Sequence, residues 1–259
     1  MIKHTFSILN GIGEKIERRL WSEGILSWEA FLDTPYIDGF SHHKKAYYDS
    51  QLIGFLKALE VSDKEYFSLS LRRREHWRLY DVWKGDVLCL DIETNGFMPQ
   101  NGGYVTMVGL YDGRKWRALV RGENLTVENL KREIDGYKVL ITFYGTVFDV
   151  PFLCRSFRGL RFNMPHYDIC YAAKRLGIKG GLKSIEKLFG IKRDESVDGM
   201  DGYDAVRLWY EYRKGSKEAF ELLLRYNRED TVNLYRLAEL VYKRLRESTG
   251  IERYLQPSG

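Results

Sequence analysis

The sequence predicts an α/β protein, a mixed sheet flanked by helices, preceded by a small all-helical domain. Three observations carry this expectation. Short apolar runs rich in strand formers cluster between residues 86 and 145. The chain before them shows only helical spacing, and the chain after Asp149 is mostly amphipathic and helical. Strands interrupted by a helix and followed by further helices suit a sheet covered on its faces.

The helical domain is expected over residues 1–84. Ile16, Leu20, Trp21 and Ile25 recur at helical spacing, as do Trp28, Phe31 and Leu32, and then Tyr48, Leu52, Phe55, Leu56 and Leu59. Ser62 and Glu65 read as a capping box that opens another helix. Arg72, Arg73, Arg74, Trp77, Arg78, Tyr80 and Trp83 follow, combining charge with aromatics. The three-residue spacing of Trp77, Tyr80 and Trp83 puts them on one face, which is expected to pack on the next domain.

The α/β domain is expected over residues 85–259. Residues 86–93, DVLCLDIE, form a strand, and residues 103–113 and 114–122 form a hairpin around Asp112-Gly113. Residues 126–137 form a helix with Thr126 as N-cap, and residues 138–145 form another buried strand. Helices are expected around FDVPFLCRSFRG and ICYAAKRLG, over residues 181–190, and from Lys217 to Glu247 as one or two segments. His166 carries no assigned function, and Asp168 reads as a strand-end or cap residue.

Composition narrows the classes. An apolar fraction of 44% and an aromatic fraction of 14% exclude a largely disordered chain. A net charge of +5 permits a nucleic-acid partner without demanding one, so any basic surface must be local. Cys89, Cys154 and Cys170 form no CxxC pair and read as buried free thiols of a reducing compartment. No signal-type h-region and no 18-residue apolar window are present, so a cytoplasmic protein without membrane spans is expected.

The acidic residues point to chemistry. Asp91 and Glu93 stand two apart near the end of a strand, so both point to the same side. Adjacent anions resist ionisation unless a cation neutralises them, and Mg²⁺ or Mn²⁺ prefers such oxygen ligands. Short acid-x-acid patterns are common among 36 acids, and Asp63-Lys64-Glu65 is a structural instance. Two further positions add weight. Asp149 follows an apolar strand and precedes a Pro and an apolar helix. Tyr226 and Asp230 lie four apart on one helix face, with Asp230 near the side buried by Leu234, Leu237 and Leu240. A buried acid there is costly unless paired or metal-bound.

Asp91-Ile92-Glu93-Thr94, Phe148-Asp149 with Pro151-Phe152-Leu153, and Tyr226-Asn227-Arg228-Glu229-Asp230 occur in this order. Together they resemble the three motifs of the DnaQ-like 3′–5′ exonucleases of the RNase H-like superfamily, in the DEDDy subgroup. GGLKSIEKLFGI, residues 180–191, resembles the segment such enzymes carry before the third motif. The resemblance covers residues from about 86 to 247 and implies an RNase H-like fold. It also implies a metal-dependent 3′–5′ exonuclease acting on single-stranded nucleic acid, DNA in preference to RNA, and releasing nucleoside 5′-monophosphates. Asp91, Glu93, Asp149 and Asp230 would hold two ions, Mg²⁺ or Mn²⁺, and Tyr226 would orient the attacking water. Tyr144-Gly145-Thr146 stand where many relatives carry an Asn, so a substrate-contacting amide is missing there.

Substrate contacts are open to two readings. Thr94 adjoins the acids, and Met107, Phe143 and Phe148 either wall the site and stack a base or fill the core. Lys183 belongs to a basic stretch with Arg158, Arg161, Lys174, Arg175 and Lys179, either a backbone groove or a solvated face. Gly11 and Gly13, followed by an amphipathic helix, resemble half of a helix-hairpin-helix element, in which helix-terminal amides meet a phosphate. The alternatives are an RNA-trimming or structure-selective nuclease on the same site, or an inert module that binds nucleic acid or a repair partner.

Overall fold

The computed structural model describes residues 1–255. Its N-terminal part contains α1 (Glu14–Ser22), α2 (Trp28–Asp33), α3 (His42–Glu60) and α4 (Lys64–Ser70). A 3₁₀ segment, Arg73–Leu79, then leads into the sheet. In a 3₁₀ helix residues three apart eclipse one another. Trp77, Tyr80 at the segment's C-cap and Trp83 beyond it are all buried. Tyr80 packs against Tyr167 and Tyr242, at 5.9 and 5.2 Å between ring centroids, as the three-residue spacing predicts. α4 is capped by Asp63, whose carboxylate accepts from Tyr66 N, rather than by Ser62, which sits at φ 55°.

Five strands follow the order β3-β2-β1-β4-β5: β1 (Val87–Thr94), β2 (Val105–Tyr111), β3 (Trp116–Val120), β4 (Val139–Thr142) and β5 (His166–Asp168). β1 pairs antiparallel with β2 and parallel with β4. β2–β3 is the expected hairpin, and Asp112 closes its turn by accepting from Arg114 N and Lys115 N. The short β5 is an addition to the expected strands; three residues of mixed polarity give no alternation to read. The helices after the hairpin are α5 (Val127–Asp135), α6 (Asp149–Ser156), α7 (Ile169–Arg175), α8 (Leu182–Leu188), α9 (Gly202–Arg213), α10 (Lys217–Thr249) and α11 (Glu252–Leu255). Thr126 caps α5 as expected. α9 adds to the expected helices, and α10 is one helix of 33 residues rather than two.

Strand alternation divides the core. Leu88, Leu90 and Ile92 of β1 face α5 and α6, where Leu130, Ile134, Phe152 and Leu153 cover them. Val87 and Cys89 face the other way, against Leu234, Leu237 and Val241 of α10. The apolar cluster of the N-terminal helices, including Phe6, Trp21, Trp28 and Phe67, runs continuously into this second layer. It crosses the expected boundary at 84/85. A buried ion cluster ties the same regions together: Arg78, 1% exposed, pairs with Glu17 and Glu75, and Glu17 accepts from the amides of Phe6 and Ser7. Cys89 and Cys170 are buried, but Cys154 is exposed on the outer face of α6, contrary to expectation. Among the described residues, no helix is long and apolar enough to cross a membrane.

Candidate active site

Odd-numbered residues of β1 face α10, so Asp91 and Glu93 leave the sheet toward that helix. They lie opposite Gly109 and Met107 of β2, and the register shifts between Glu93 and Thr94. Such an irregularity re-aims the end of a strand. Gly109 is needed for a close approach of α10. A Cβ there would sit 2.0 Å from Asn227 Oδ1 and 2.3 Å from Thr231 Oγ1. The absent side chain lets α10 set Tyr226, Asn227 and Asp230 over the acids.

Ligand oxygens of Asp91, Glu93 and Asp230 lie within 4.8 Å of one another. Glu93 and Asp230 are buried and Asp91 is half-buried. Asn227 is fully buried and donates to Asp91 Oδ2 at 3.2 Å and Glu93 Oε1 at 3.3 Å. Asp149 opens α6, is buried, and accepts from Ile92 N at 3.1 Å, which brings it to the same strand from the other side. Tyr226 is buried one turn before Asp230. Lys183 of α8 places its ammonium 5.0 Å from the centre of the Tyr226 ring.

The electrostatics are those of crowded anions. Burial, reinforced by the neighbouring charges of Glu93, Asp230 and Asp149, holds the Asp91 carboxyl well above the usual range. Burial and Asp230 do the same to Glu93, against the Asn227 hydrogen bond. Burial pushes Asp149 up to about 7 despite the amide of Ile92. Burial and the charge of Asp230 raise the Tyr226 phenol, so it stays protonated. The donor set fits a hard divalent cation. It is made only of oxygens, it converges, and its anions gain by neutralisation.

Two participants, Arg193 and Asn227, were not singled out from the sequence. Arg193, in the loop after α8, has a side chain only 3% exposed. Its guanidinium grips Glu186 through Nε and Nη2, at 2.6 and 2.9 Å, and pairs with Asp230 through Nη1. The one available signal for Arg193 was Glu186, an acid facing inward on the short helix α8. Asn227 lies inside the third motif.

The remaining expected contact residues are scattered. Thr94 is half-buried, and its hydroxyl accepts from Gly96 N. Met107 is fully buried against Tyr226 and the apolar face of α9, so it forms the floor beneath Glu93 and offers no surface to a base. Phe148 is half-buried, edge-on to Phe152 at 5.7 Å. Gly11, at φ 84°, and Gly13 lie at the start of α1, outside the acidic cluster. Asp168 is both strand end and cap, as expected: its carboxylate takes the amides of Tyr144, Thr146 and Cys170.

A mixed sheet in the order 3-2-1-4-5, with acids on the central strand facing a long crossing helix, defines the RNase H-like fold. The chain belongs to the RNase_H superfamily, whose sequence pattern matches residues 88–242. The solved structures similar to it include the following three. One, described as the apo form of a nuclease, is 21% identical, with a TM-score of 0.49 over 68% of this chain and 81% of that one. Brucella melitensis NrnC with bound Mg²⁺ is 19% identical, with a TM-score of 0.47 over 68% of this chain and 81% of that one. The Aedes aegypti Nibbler EXO domain is 14% identical, with a TM-score of 0.45 over 69% and 90%. No curated protein matches the chain.

Proposed function

We propose that this protein is a metal-dependent 3′–5′ exonuclease of the DEDDy type acting on single-stranded nucleic acid. The observation that carries this reading is the convergence of the Asp91, Glu93 and Asp230 oxygens within 4.8 Å, with Asp149 held at the same strand by the amide of Ile92 and Tyr226 one turn before Asp230. These four acids would hold the divalent ions, Mg²⁺ or Mn²⁺, two per site, and the bound metal would supply a nucleophilic water and charge stabilisation at the phosphate and the leaving 3′-oxygen.

The chain's own residues do the rest. Asn227 anchors Asp91 and Glu93 by donating to both, which leaves their other lone pairs to converge. Tyr226 keeps its proton and orients the attacking water by a hydrogen bond. It is a positioning group rather than a base, because its phenol is raised above an already high value. Lys183, beside Tyr226, meets the anionic strand. Residues 85–259 carry the chemistry and residues 1–84 handle substrate. The preference for DNA rests on the resemblance of the Gly11–Gly13 start of α1 to half of a helix-hairpin-helix element.

Calorimetric titration tests the site. Mn²⁺ should bind the wild type with heat that disappears in Asp91→Asn and Asp230→Asn, while both variants keep their fold by circular dichroism. Unchanged binding in the two variants removes the assignment.

A further inference from the structure

A second feature lies beside the acids. A cavity of about 420 Å³ opens between the Arg73–Leu79 segment and the edge of the sheet formed by β5 and α7. Its size falls within the roughly 300–1,000 Å³ of small-molecule sites and accommodates one nucleotide. Its floor is aromatic, made by Trp77 and Tyr167, both almost wholly buried. Its walls carry Arg73, Arg74 and Arg175.

The unpaired cation of this cleft is Arg73, which forms no ion pair among the described residues and is exposed at the mouth. Arg74 and Arg175 are both held by Glu75, at 3.3 and 3.4 Å. The acids nearby are already engaged. Glu14 pairs with Arg175 at 3.5 Å, and both carboxylate oxygens of Asp168 are turned onto backbone amides. His166 stays neutral, since burial lowers it to about 4. At the rim, Tyr171 stacks on Tyr144 with ring centroids 6.2 Å apart, and Lys174 lies 4.9 Å from the Tyr171 ring. Both tyrosines are exposed, 41% and 43%. The Tyr144 backbone is held at φ 65°, a conformation costly for a non-glycine residue. Aromatic faces interleaved with cations suit the bases and phosphates of a single strand.

Position ties the cleft to the acids. Thr146 lines it and lies three residues before Asp149 on the same loop, so their Cα atoms are at most about 11 Å apart. In a 3′–5′ exonuclease the strand not yet cut lies on the 5′ side of the scissile phosphate. We infer that the cleft between Arg73, Arg74 and the β5 edge binds a nucleotide of the substrate strand on the 5′ side of the cut. This inference rests on the exonuclease reading.

The test uses Arg73→Glu and, separately, Tyr171→Ser, both at exposed positions. Two substrates are compared: a single-stranded decamer, and p-nitrophenyl thymidine 5′-monophosphate, which has no nucleotide on that side of the cut. For the decamer KM should rise at least tenfold with kcat retained, while kcat/KM for the small ester stays within twofold. An unchanged decamer KM, or equal losses on both substrates, overturns the inference. Decamer binding is also followed by fluorescence anisotropy in EDTA. If the wild type cleaves neither substrate, the exonuclease reading fails, yet anisotropy still decides the cleft. Tenfold weaker binding in the variants supports it, and equal binding sinks it.

Discussion

Replacing Arg193 by Met should destabilise the metal-free protein strongly and make it depend on divalent cations. The guanidinium is buried between Glu186 and Asp230, so Arg193→Met strands two carboxylates at once. Breaking a buried pair by removing one partner costs about 3–5 kcal/mol. At roughly 2–4 °C per kcal/mol for a chain of this size, the melting temperature in EDTA should fall by about 6–20 °C. A cation at the acidic cluster supplies the charge that Asp230 has lost. Saturating Mg²⁺ should therefore raise the melting temperature of the variant by more than that of the wild type. Adding Glu186→Gln to Arg193→Met should recover part of the loss, because the two residues act together. The assay is thermal denaturation in EDTA and in Mg²⁺. A variant that melts within about 2 °C of the wild type in EDTA, or gains no more from Mg²⁺, refutes the reasoning.

Other perturbations act on separate parts of the site. Gly109→Ala drives a Cβ onto Asn227 and Thr231, and should cost about 1–3 kcal/mol in denaturant melts while abolishing turnover below the melting temperature. Retained activity would show that α10 can move without disturbing the acids. Tyr226→Phe should lower kcat by about 10²-fold and leave metal binding by calorimetry intact; an equal loss of metal affinity would make Tyr226 part of the ligand scaffold instead. In EDTA, the contribution of Asp149 to stability should fall as pH rises. Its carboxyl is raised to about 7, so between about pH 4 and 7 it holds more proton in the folded chain than in the unfolded one, whereas the buried His76 and His166, lowered to about 4, act in the opposite sense. The melting temperature of the wild type relative to Asp149→Asn should therefore decrease over this window, and a difference that grows instead would contradict the burial of this acid.

Much of this arrangement was legible because it follows from periodicity. Alternation along Val87–Thr94 sets Asp91 and Glu93 on one side, and the four-residue spacing sets Tyr226 with Asp230. Pairing across the sheet then does what the spacing implies. The parts that were not legible depend on tertiary packing. Arg193 lies in an irregular loop, where no period marks a buried cation. Asn227 becomes an anchor only because Gly109, far away in sequence, leaves room for it. The three residues of β5 are too few to alternate, and they form a strand because β4 offers a parallel edge. Met107 matches a wall residue in sequence, yet the pairing with Glu93 turns it down into the core.

The central claim is that these acids cut a strand from its 3′ end with divalent metal. The direct measurement incubates the protein with 5′-labelled single-stranded DNA and RNA oligonucleotides, in Mg²⁺, Mn²⁺ or EDTA, and resolves products at single-nucleotide steps. The expected product is a ladder that shortens from the 3′ end, needs metal, forms faster on DNA, and vanishes in Asp91→Asn. An intact oligonucleotide under every condition, or a ladder that persists in EDTA or in Asp91→Asn, would contradict the claim.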